Sequence, residues 1–285
     1  MSPTVSEGLR ARGARWLASG RAGAAAFGNA LLDWAYPARC RSCGEPLGGS
    51  PTLCRSCWER IRLWNGVRCE RCGTPTRVAC DACSACPTVF EAEPPFERLR
   101  AATSYGGAVR AAIHAAKYEA RIGLARRLGG LLLAIEPPLY DWRAYGAIIP
   151  IPLHRVRQAE RGFNQAEEIA RTVGRAVDLP VEAGWVRRVR PTTPMFQQPD
   201  ADARRREIEG AFRARLPDAA KGWRLLLLDD IVTSGATASE AARVLIEAGA
   251  EAVDVLCVAR AWRRRDGTFD DAPQDVASSS TSSTA

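Results

Sequence analysis

The stretch that decides the fold is Leu225-Leu226-Leu227-Leu228-Asp229-Asp230-Ile231-Val232-Thr233-Ser234-Gly235-Ala236-Thr237. A short apolar run that ends in two acids is typical of a strand buried on both faces of a parallel sheet. The turn after it contains hydroxyls and one glycine, and residues 239–248 place apolar side chains at helical spacing up to Gly249. We therefore predict a buried strand, a tight loop and a helix, in that order.

A loop between a strand and a helix N-terminus is a site for an anion, because its backbone N–H groups and hydroxyls can point at a phosphate. The loop residues that would surround the phosphate are Thr233, Ser234, Gly235, Ala236 and Thr237. Ligands of open α/β sheets lie at the carboxyl ends of the strands, which places Asp229 and Asp230 nearby as acceptors for adjacent hydroxyls. The pattern indicates a sugar phosphate; the alternative is an ordinary strand, turn and helix with an acidic end.

This segment closely resembles the phosphoribosyl-pyrophosphate motif of type I phosphoribosyltransferases, which is an apolar strand, two acids and a Thr/Ser-Gly-x-Thr loop. The resemblance implies a parallel α/β sheet. It also implies that Asp229 and Asp230 are the catalytic pair on the ribose 2- and 3-hydroxyls, and that residues 233–237 surround the 5-phosphate. Magnesium would bind with the phosphoribosyl pyrophosphate, held largely by the substrate and by water.

Nine of the ten cysteines lie between residues 40 and 86, most of them in Cys-x2-Cys pairs. Each such pair presents two sulfurs to one ion, and tetrahedral zinc takes four, so we predict two sequential zinc ribbons. The first site uses Cys40, Cys43, Cys54 and Cys57. The second uses Cys69 and Cys72 with two of Cys80, Cys83 and Cys86, and the spacing does not decide which two.

Residues 39–87 contain too few large apolar side chains to fold alone, so zinc binding would supply the missing free energy and both zinc ions are predicted to be structural. Two other uses of the cysteines are less favoured by the pattern. A redox Cys-x2-Cys pair would need a βαβ context, and a disulfide scaffold would need secretion.

The remaining elements follow from hydrophobic patterning. We predict an edge strand near residues 99–103, helices at 108–118, 124–135 and 166–177, and buried strands at 147–152 and 252–260. Residues 181–188 are a further strand candidate, residues 153–165 are predicted to form a basic loop, and Cys257 is expected to be a core thiol.

Three features outside the core motif point to one family. They are Pro150-Ile151-Pro152-Leu153-His154-Arg155, the segment Arg161-Gly162-Phe163-Asn164-Gln165, and the double zinc ribbon ahead of both. With these features the chain resembles the ComF family of phosphoribosyltransferase-like proteins, including its GntX-type members, over about residues 31–262.

The family resemblance implies a set of substrate-binding residues. It puts His154, Arg155 and Arg157 near the diphosphate, with Arg161 and Asn164 close by. Fixed guanidinium groups there would stabilise the charge that develops on a departing pyrophosphate. Lys117 matches a lysine that the family often shows. For each cation taken alone, the alternative is a solvated surface charge or a helix cap.

Residues 191–202 fall where members of the class have a flexible loop that folds over the substrate. The segment Thr193-Pro194-Met195-Phe196-Gln197-Gln198-Pro199 departs from the family's usual Gln-or-Arg-x-Gly-Leu pattern. The acceptor of the phosphoribosyl group is therefore left open by the sequence.

Length and composition favour a globular protein, because the chain has 285 residues, of which 46% are hydrophobic and 25% charged. We predict an N-terminal helix within residues 1–37, a double zinc ribbon at 38–90, an α/β domain at 96–262 and a disordered tail at 263–285. No apolar run approaches the roughly 20 residues of a membrane span, and the N-terminal stretch is a poor signal peptide, so a cytoplasmic protein is expected.

The function that these patterns favour is phosphoribosyl transfer with release of pyrophosphate. The alternative is a non-catalytic module that senses phosphoribosyl pyrophosphate or binds single-stranded DNA with DNA-uptake proteins, which the resemblance to competence proteins motivates. The net charge of +8 does not choose between phosphate ligands and nucleic acid. The oligomeric state cannot be read from the sequence, and the class often forms homodimers.

Overall fold

The computed structural model describes residues 38–47, 52–83, 86, 93–119, 121–135, 138–192, 206–263 and 269–270. The predicted helix within residues 1–37 lies outside the described residues, as do residues 193–205, which include most of the predicted substrate loop. Most of the predicted disordered tail also lies outside them. The chain forms two compact units, Met1–Glu59 and Arg60–Ala285.

The first unit contains one described helix, α1 (Arg55–Glu59). The elements of the second unit follow in chain order: β1 (Leu99–Ser104), α2 (Gly107–Tyr118), α3 (Ile122–Leu133), β2 (Ala147–Pro150), α4 (Arg155–Arg161), α5 (Gln165–Val177), β3 (Val186–Arg188), β4 (Phe212–Ala214), β5 (Arg224–Val232), α6 (Ala236–Glu247), β6 (Ala252–Arg260), β7 (Trp262–Arg263) and β8 (Phe269–Asp270).

A four-stranded parallel sheet is the centre of the second unit, in the order β1-β6-β5-β2. The strand β5 pairs with a neighbour on each side, and its four leucines, 225–228, are fully buried. This confirms the predicted strand buried on both faces. The strand continues through both acids to Val232, so the acids lie within the strand instead of after it.

Four helices of 12 or 13 residues pack on the sheet or on one another, close to their predicted bounds. The helices α3 and α5 approach closely where Gly129 meets Thr172, since a Cβ at residue 129 would lie 2.9 Å from the threonine Cβ. The two short hairpins, β3 with β4 and β7 with β8, lie outside the main sheet.

The basic loop predicted at residues 153–165 is wrong in part, because residues 155–161 form the helix α4. His154 caps this helix with its Nδ1 atom, which accepts from the backbone N–H of Val156, and Gly162 ends it in the left-handed conformation. The residues of this helix have no apolar periodicity, so hydrophobic patterning does not predict it. Capping at both of its ends stabilises it instead.

The second zinc ribbon covers the free edge of β1. The backbone N–H of Leu99 donates to the carbonyl of Arg71, and that of Trp64 donates to the carbonyl of Ala102. Trp64, Cys69 and Cys72 belong to the same hydrophobic cluster as the sheet. The boundary between the compact units, at residues 59 and 60, therefore falls inside the predicted 38–90 domain, and the second ribbon is part of the α/β unit.

Gly73 makes a close backbone approach between this ribbon and the sheet. Its φ is +70°, and a Cβ there would lie 2.4 Å from the carbonyl oxygen of Leu99. We expect Gly73→Ala to lower the free energy of unfolding by roughly 2 kcal/mol or more, because a left-handed alanine is strained and the backbone must also move. Urea denaturation of the zinc-loaded protein measures the effect.

The matched control is Gly66→Ala. Gly66 also has a positive φ, +86°, but a Cβ at this position would meet no atom within 4 Å among the described residues beyond its chain neighbours. Only the backbone strain of about 1 kcal/mol is therefore expected. Equal losses for the two variants would contradict the close approach at Gly73.

Candidate functional site

A cavity of about 140 Å³ lies at the carboxyl ends of β2 and β5, where ligands bind in open α/β sheets. The ionic side chains that line it are Lys117, Arg157, Arg161, Arg188, Asp229 and Asp230. They come from α2, α4, β3 and β5, so the sheet and three surrounding elements bring them together. Four cations face two carboxylates, which favours an anionic ligand.

The two acids and Lys117 form one group, in which Asp230 is buried and Asp229 and Lys117 are partly exposed. The Lys117 Nζ atom lies 2.7 Å from the Asp230 Oδ2 atom, and the backbone N–H of Asp230 donates to the Asp229 carboxylate at 2.8 Å. Burial opposes the lysine's charge, but the carboxylates of Asp230 and Asp229 outweigh it and raise the pKa of Lys117. The lysine therefore stays charged and balances one of the two acids.

Asp229 is the acid that remains uncompensated. Burial raises its pKa well above the usual range, and the neighbouring charge of Asp230 raises it further, while Lys117 opposes both. A carboxylate with this environment gains from any ligand that brings hydroxyl donors or a cation. Asp229 lies near the carboxyl end of β5, within the strand and not after it as the sequence predicts.

The predicted phosphate turn, residues 233–237, follows directly after β5. Gly235 has a φ of +79° and precedes the first residue of α6, so the glycine permits the sharp change from strand to helix. Thr237 lines the cavity, and Gly235 is buried in the turn before it. Thr233 and Ser234 in the turn and Ala236 at the start of α6 are partly exposed and do not line the cavity.

The residues of the predicted diphosphate site separate into two groups. Arg157, Arg161 and Asn164 line the cavity, and Asn164 is fixed there because its Nδ2 atom donates to the Ile151 carbonyl at 3.0 Å. His154 is occupied as the cap of α4, and Arg155 is exposed on that helix. Neither lines the cavity.

Arg188, Gln165 and Thr192 also line the cavity. The sequence points to Gln165 only as part of the family motif and to Thr192 only within residues 191–202, and it assigns Arg188 no role in the site. The Arg188 guanidinium contacts the Thr192 hydroxyl and lies 5.4 Å from the centre of the Phe212 ring. Burial lowers its pKa to about 10, helped by the nearby charge of Arg157. The Nε atom of Arg188 and the Nε2 atom of Gln165 are buried donors that lack an acceptor among the described residues. The sequence predicts a strand over residues 181–188, of which only 186–188 form β3, and nothing in that pattern indicates that Arg188 lines a cavity.

The cysteines form two clusters of four: Cys40, Cys43, Cys54 and Cys57; and Cys69, Cys72, Cys83 and Cys86. In the second cluster three sulfur pairs are 3.6, 3.6 and 3.9 Å apart. Four sulfurs around a tetrahedral zinc at about 2.3 Å would be about 3.8 Å apart, so the cluster fits the ion without rearrangement. The structure thus selects Cys83 and Cys86, and Cys80 stands outside the cluster.

The thiols of the second cluster differ in how readily they ionise, because burial raises the pKa of Cys72 to about 11. Burial opposes ionisation of Cys69, but hydrogen bonds led by the backbone N–H of Cys72 lower its pKa to about 7. The tenth cysteine, Cys257, is the core thiol that the sequence predicted: it is fully buried, and burial raises its pKa to about 12.

Comparisons with known proteins agree with this architecture. Residues 31–87 match the family model described as a double zinc ribbon domain. The DNA utilization protein YhgH of Escherichia coli strain K12 is 32% identical over 231 residues, which cover 79% of this chain and 97% of the relative. Competence protein F of Haemophilus influenzae is 28% identical and competence protein ComFC of Bacillus subtilis 26%, covering 73% and 69% of this chain and 90% and 79% of those relatives.

A solved structure, that of Leishmania donovani UMP synthase, is similar at 19% identity with a TM-score of 0.28, over 54% of this chain and 25% of that one. A superposition at this score supports no statement about function. None of the helices in the described ranges is both long enough and apolar enough to cross a bilayer.

The fold and the two cysteine clusters define an α/β protein with a parallel sheet and an N-terminal double zinc ribbon. Its similarity to the competence and DNA utilization proteins covers most of the chain and identifies the family. The chain belongs to the ComF family, as its sequence features predicted.

The pKa of Asp229 leads to a prediction about stability. Because its folded pKa is raised, the carboxyl costs stability as the pH rises above its unfolded pKa, so Asp229→Asn should stabilise the protein. We expect a gain of about 1 kcal/mol or more near pH 8 that shrinks toward pH 5.5, measured as thermal unfolding of the zinc-loaded protein. The control Asp218→Asn removes an exposed acid whose pKa is lowered by Lys221. If Asp229→Asn stabilises the protein and Asp218→Asn does not, the gain comes from the burial of Asp229 and not from the removal of a negative charge in general.

The two zinc clusters lead to a second prediction. Cys72→Ser should lower the melting temperature of the sheet by about 10 °C or more, because zinc binding at that cluster supplies folding free energy to the α/β unit. Cys57→Ser removes a similarly buried ligand from the other unit and should leave the melting of the sheet unchanged. Circular dichroism in the strand region measures both, and a similar loss in both variants would contradict the assignment of the second ribbon to the sheet.

Proposed function

We propose that this protein binds phosphoribosyl pyrophosphate in the cavity and transfers the phosphoribosyl group to a nitrogen nucleophile. The observation that carries the proposal is the combination of an acid pair, of which Asp230 is buried, with four cations at the carboxyl end of a parallel sheet. An acid pair suits the vicinal hydroxyls of a ribose, and the excess of positive charge suits its phosphates. The tight turn at residues 233–237 follows directly after the strand that carries the acids.

Each group in the cavity takes a role by its charge. Asp229 and Asp230 accept from the ribose hydroxyls, and Lys117 can pass from Asp230 to a phosphate oxygen because it is already charged within the site. Arg157, Arg161 and Arg188 supply donors for the diphosphate. The donors of Arg188 Nε and Gln165 Nε2 that lack an acceptor among the described residues would find one in the ligand.

The reaction breaks the bond between the ribose C1 and the diphosphate oxygen, whose electron pair leaves with pyrophosphate. A bond then forms between C1 and the nucleophile's nitrogen, which releases its proton to solvent. Guanidinium groups fixed before the reaction lower the barrier, because negative charge grows on the departing pyrophosphate. The carboxylates of Asp229 and Asp230 stabilise the positive charge that develops on the ribose ring.

The donor set also fits magnesium, which prefers oxygen ligands and keeps several waters. Asp229 and Asp230 are the residues that would hold it, directly or through water, together with the substrate oxygens. When bound, the ion would neutralise charge on the diphosphate.

The names of the relatives support a role for the proposed activity in DNA utilisation and competence. Action in the cytoplasm, with single-stranded DNA or DNA-uptake proteins as partners and in a homodimer, stays a prediction. A module that senses phosphoribosyl pyrophosphate without transferring it would use the same cavity. Only the presence of turnover separates the two.

Titration calorimetry with phosphoribosyl pyrophosphate and magnesium tests the binding. We expect Arg157→Gln to weaken it by about tenfold or more, because a charge-assisted contact to a phosphate is lost. Arg155→Gln is the matched control, since Arg155 lies on the same helix but is exposed outside the cavity. Binding that is unchanged in Arg157→Gln and in Asp230→Asn would overturn the proposal.

Turnover is measured separately, as pyrophosphate release across a panel of purine, pyrimidine and amine acceptors. Release with one acceptor that is lost in Asp230→Asn supports the transferase. Tight binding with no release across the panel favours the sensor, and a steeply salt-dependent affinity for single-stranded DNA in the same preparation would support the nucleic-acid role.

A further inference from the structure

Arg260 is a buried arginine that the proposed reaction does not use. It is the last residue of β6 and is 1% exposed. Its NH1 atom donates to the carbonyl oxygen of Cys72 at 2.8 Å, which joins the end of a central strand to a ligand of the second cysteine cluster. The guanidinium therefore contacts the backbone of one of the four cluster ligands.

The negative charge of the second cluster explains why a buried arginine beside it matters. Four thiolates and one Zn²⁺ carry a net charge of −2, and a buried net charge is costly unless an opposite charge or hydrogen bonds compensate it. Cys69 and Cys72 are 0% and 1% exposed. In the first cluster, by contrast, Cys43 is exposed, so water can solvate the charge there. The second cluster depends more on charges that the protein itself supplies.

Two buried arginines reach the second cluster, and they differ in their partners. Arg100 donates to the carbonyls of Cys69 and Glu70, but its NH2 atom also lies 2.6 Å from the Glu70 carboxylate, which offsets its charge. Arg260, which is 1% exposed, donates instead to the carbonyl of Cys72, the other ligand of the same turn.

We propose that Arg260 is the counter-charge of the second zinc–thiolate cluster and a positioning residue that ties this cluster to the end of β6. Its guanidinium stabilises the dianion of four thiolates and zinc, and its hydrogen bond to Cys72 orients the Cys69–Cys72 turn.

The placement of Arg260 extends its effect to the neighbouring strand. It is paired in register with Val232, and the N–H of the next residue, Ala261, donates to the Val232 carbonyl at 3.0 Å. Val232 is the residue before the turn at 233–237. The zinc cluster is therefore connected through the Arg260 side chain to the backbone that leads into the proposed phosphate turn. This part of the inference does not require that the turn binds phosphate.

Zinc retention in the full-length protein tests the inference without any assay of activity. The zinc-loaded protein is placed in excess chelator with an alkylating agent, and the modification rate of each cysteine is read by mass spectrometry. We expect Arg260→Gln to expose Cys69, Cys72, Cys83 and Cys86 about 10 to 100 times faster than in the wild type, as for other residues that support metal ligands. The first cluster should be unchanged, and Cys80, which is outside both clusters, serves as the internal reference.

The matched control is Arg98→Gln. Arg98 is also an arginine at the sheet, but it pairs with the buried carboxylate of Asp254 and not with a cysteine of either cluster. This variant should lose stability while its zinc release stays within about threefold of the wild type. If it releases zinc from the second cluster as fast as Arg260→Gln does, general loosening explains the effect and the inference is overturned.

The variant Arg260→Lys distinguishes the role of the positive charge from the role of side-chain packing. It also tests the counter-charge if Arg260→Gln does not fold. A lysine keeps the positive charge, so release within about threefold of the wild type supports the counter-charge. Release that is faster by about tenfold, or wild-type release in a folded Arg260→Gln variant, overturns it.

Discussion

The pairing of β5 with a parallel strand on each side is the constraint on which the remaining structure depends. Two ladders of hydrogen bonds hold its backbone, and the ladder with β6 continues to Val232, so the side chains at its end cannot move apart to relieve their repulsion. The four leucines before them keep water away from the sheet. An acid pair in such a place is held under electrostatic stress, which a ligand or a cation can relieve.

Lys117 relieves that stress in part. It is supplied by the end of α2, a helix that follows the edge strand, and its contact with Asp230 links two parts of the fold that are far apart in sequence. One lysine cannot neutralise two acids, and the raised pKa of Asp229 follows directly from this imbalance. Asp229 therefore lowers the stability of the fold at the place where binding is proposed, which is common in functional sites.

The sequence allowed much of this to be predicted, and the limits have physical causes. The apolar part of β5 and the strand β6 could be found because burial on both faces leaves a mostly apolar run, whereas the continuation of β5 through the acids could not. The acids, the turn and the cysteine clusters could be found because their spacing is local. The choice of Cys83 and Cys86 could not, since three cysteines at equal spacing satisfy the same rule and only the folded path of the chain excludes Cys80.

The cations of the cavity show the same division. Arg157 and Arg161 follow a strand end and were predicted from the family's loop there, whereas Arg155, in the same run, lies outside the cavity because the run is a helix. Arg188 depends on a hairpin formed between β3 and β4, whose residues lie more than twenty positions apart. Contacts of this kind arise from the tertiary fold and leave no mark in a short window of sequence.

The cover that the second ribbon gives to β1 makes the α/β unit sensitive to metal supply. A newly synthesised chain that meets no zinc would leave the outer edge of β1 bare, with its amide and carbonyl groups open to pairing with another chain. Zinc scarcity would then act on this protein through aggregation and degradation, before any effect on the proposed reaction. For the same reason, removal of residues 1–90 would also remove the second ribbon, which covers the edge of β1. Removal of residues 1–59 follows the boundary between the two compact units and leaves that cover in place.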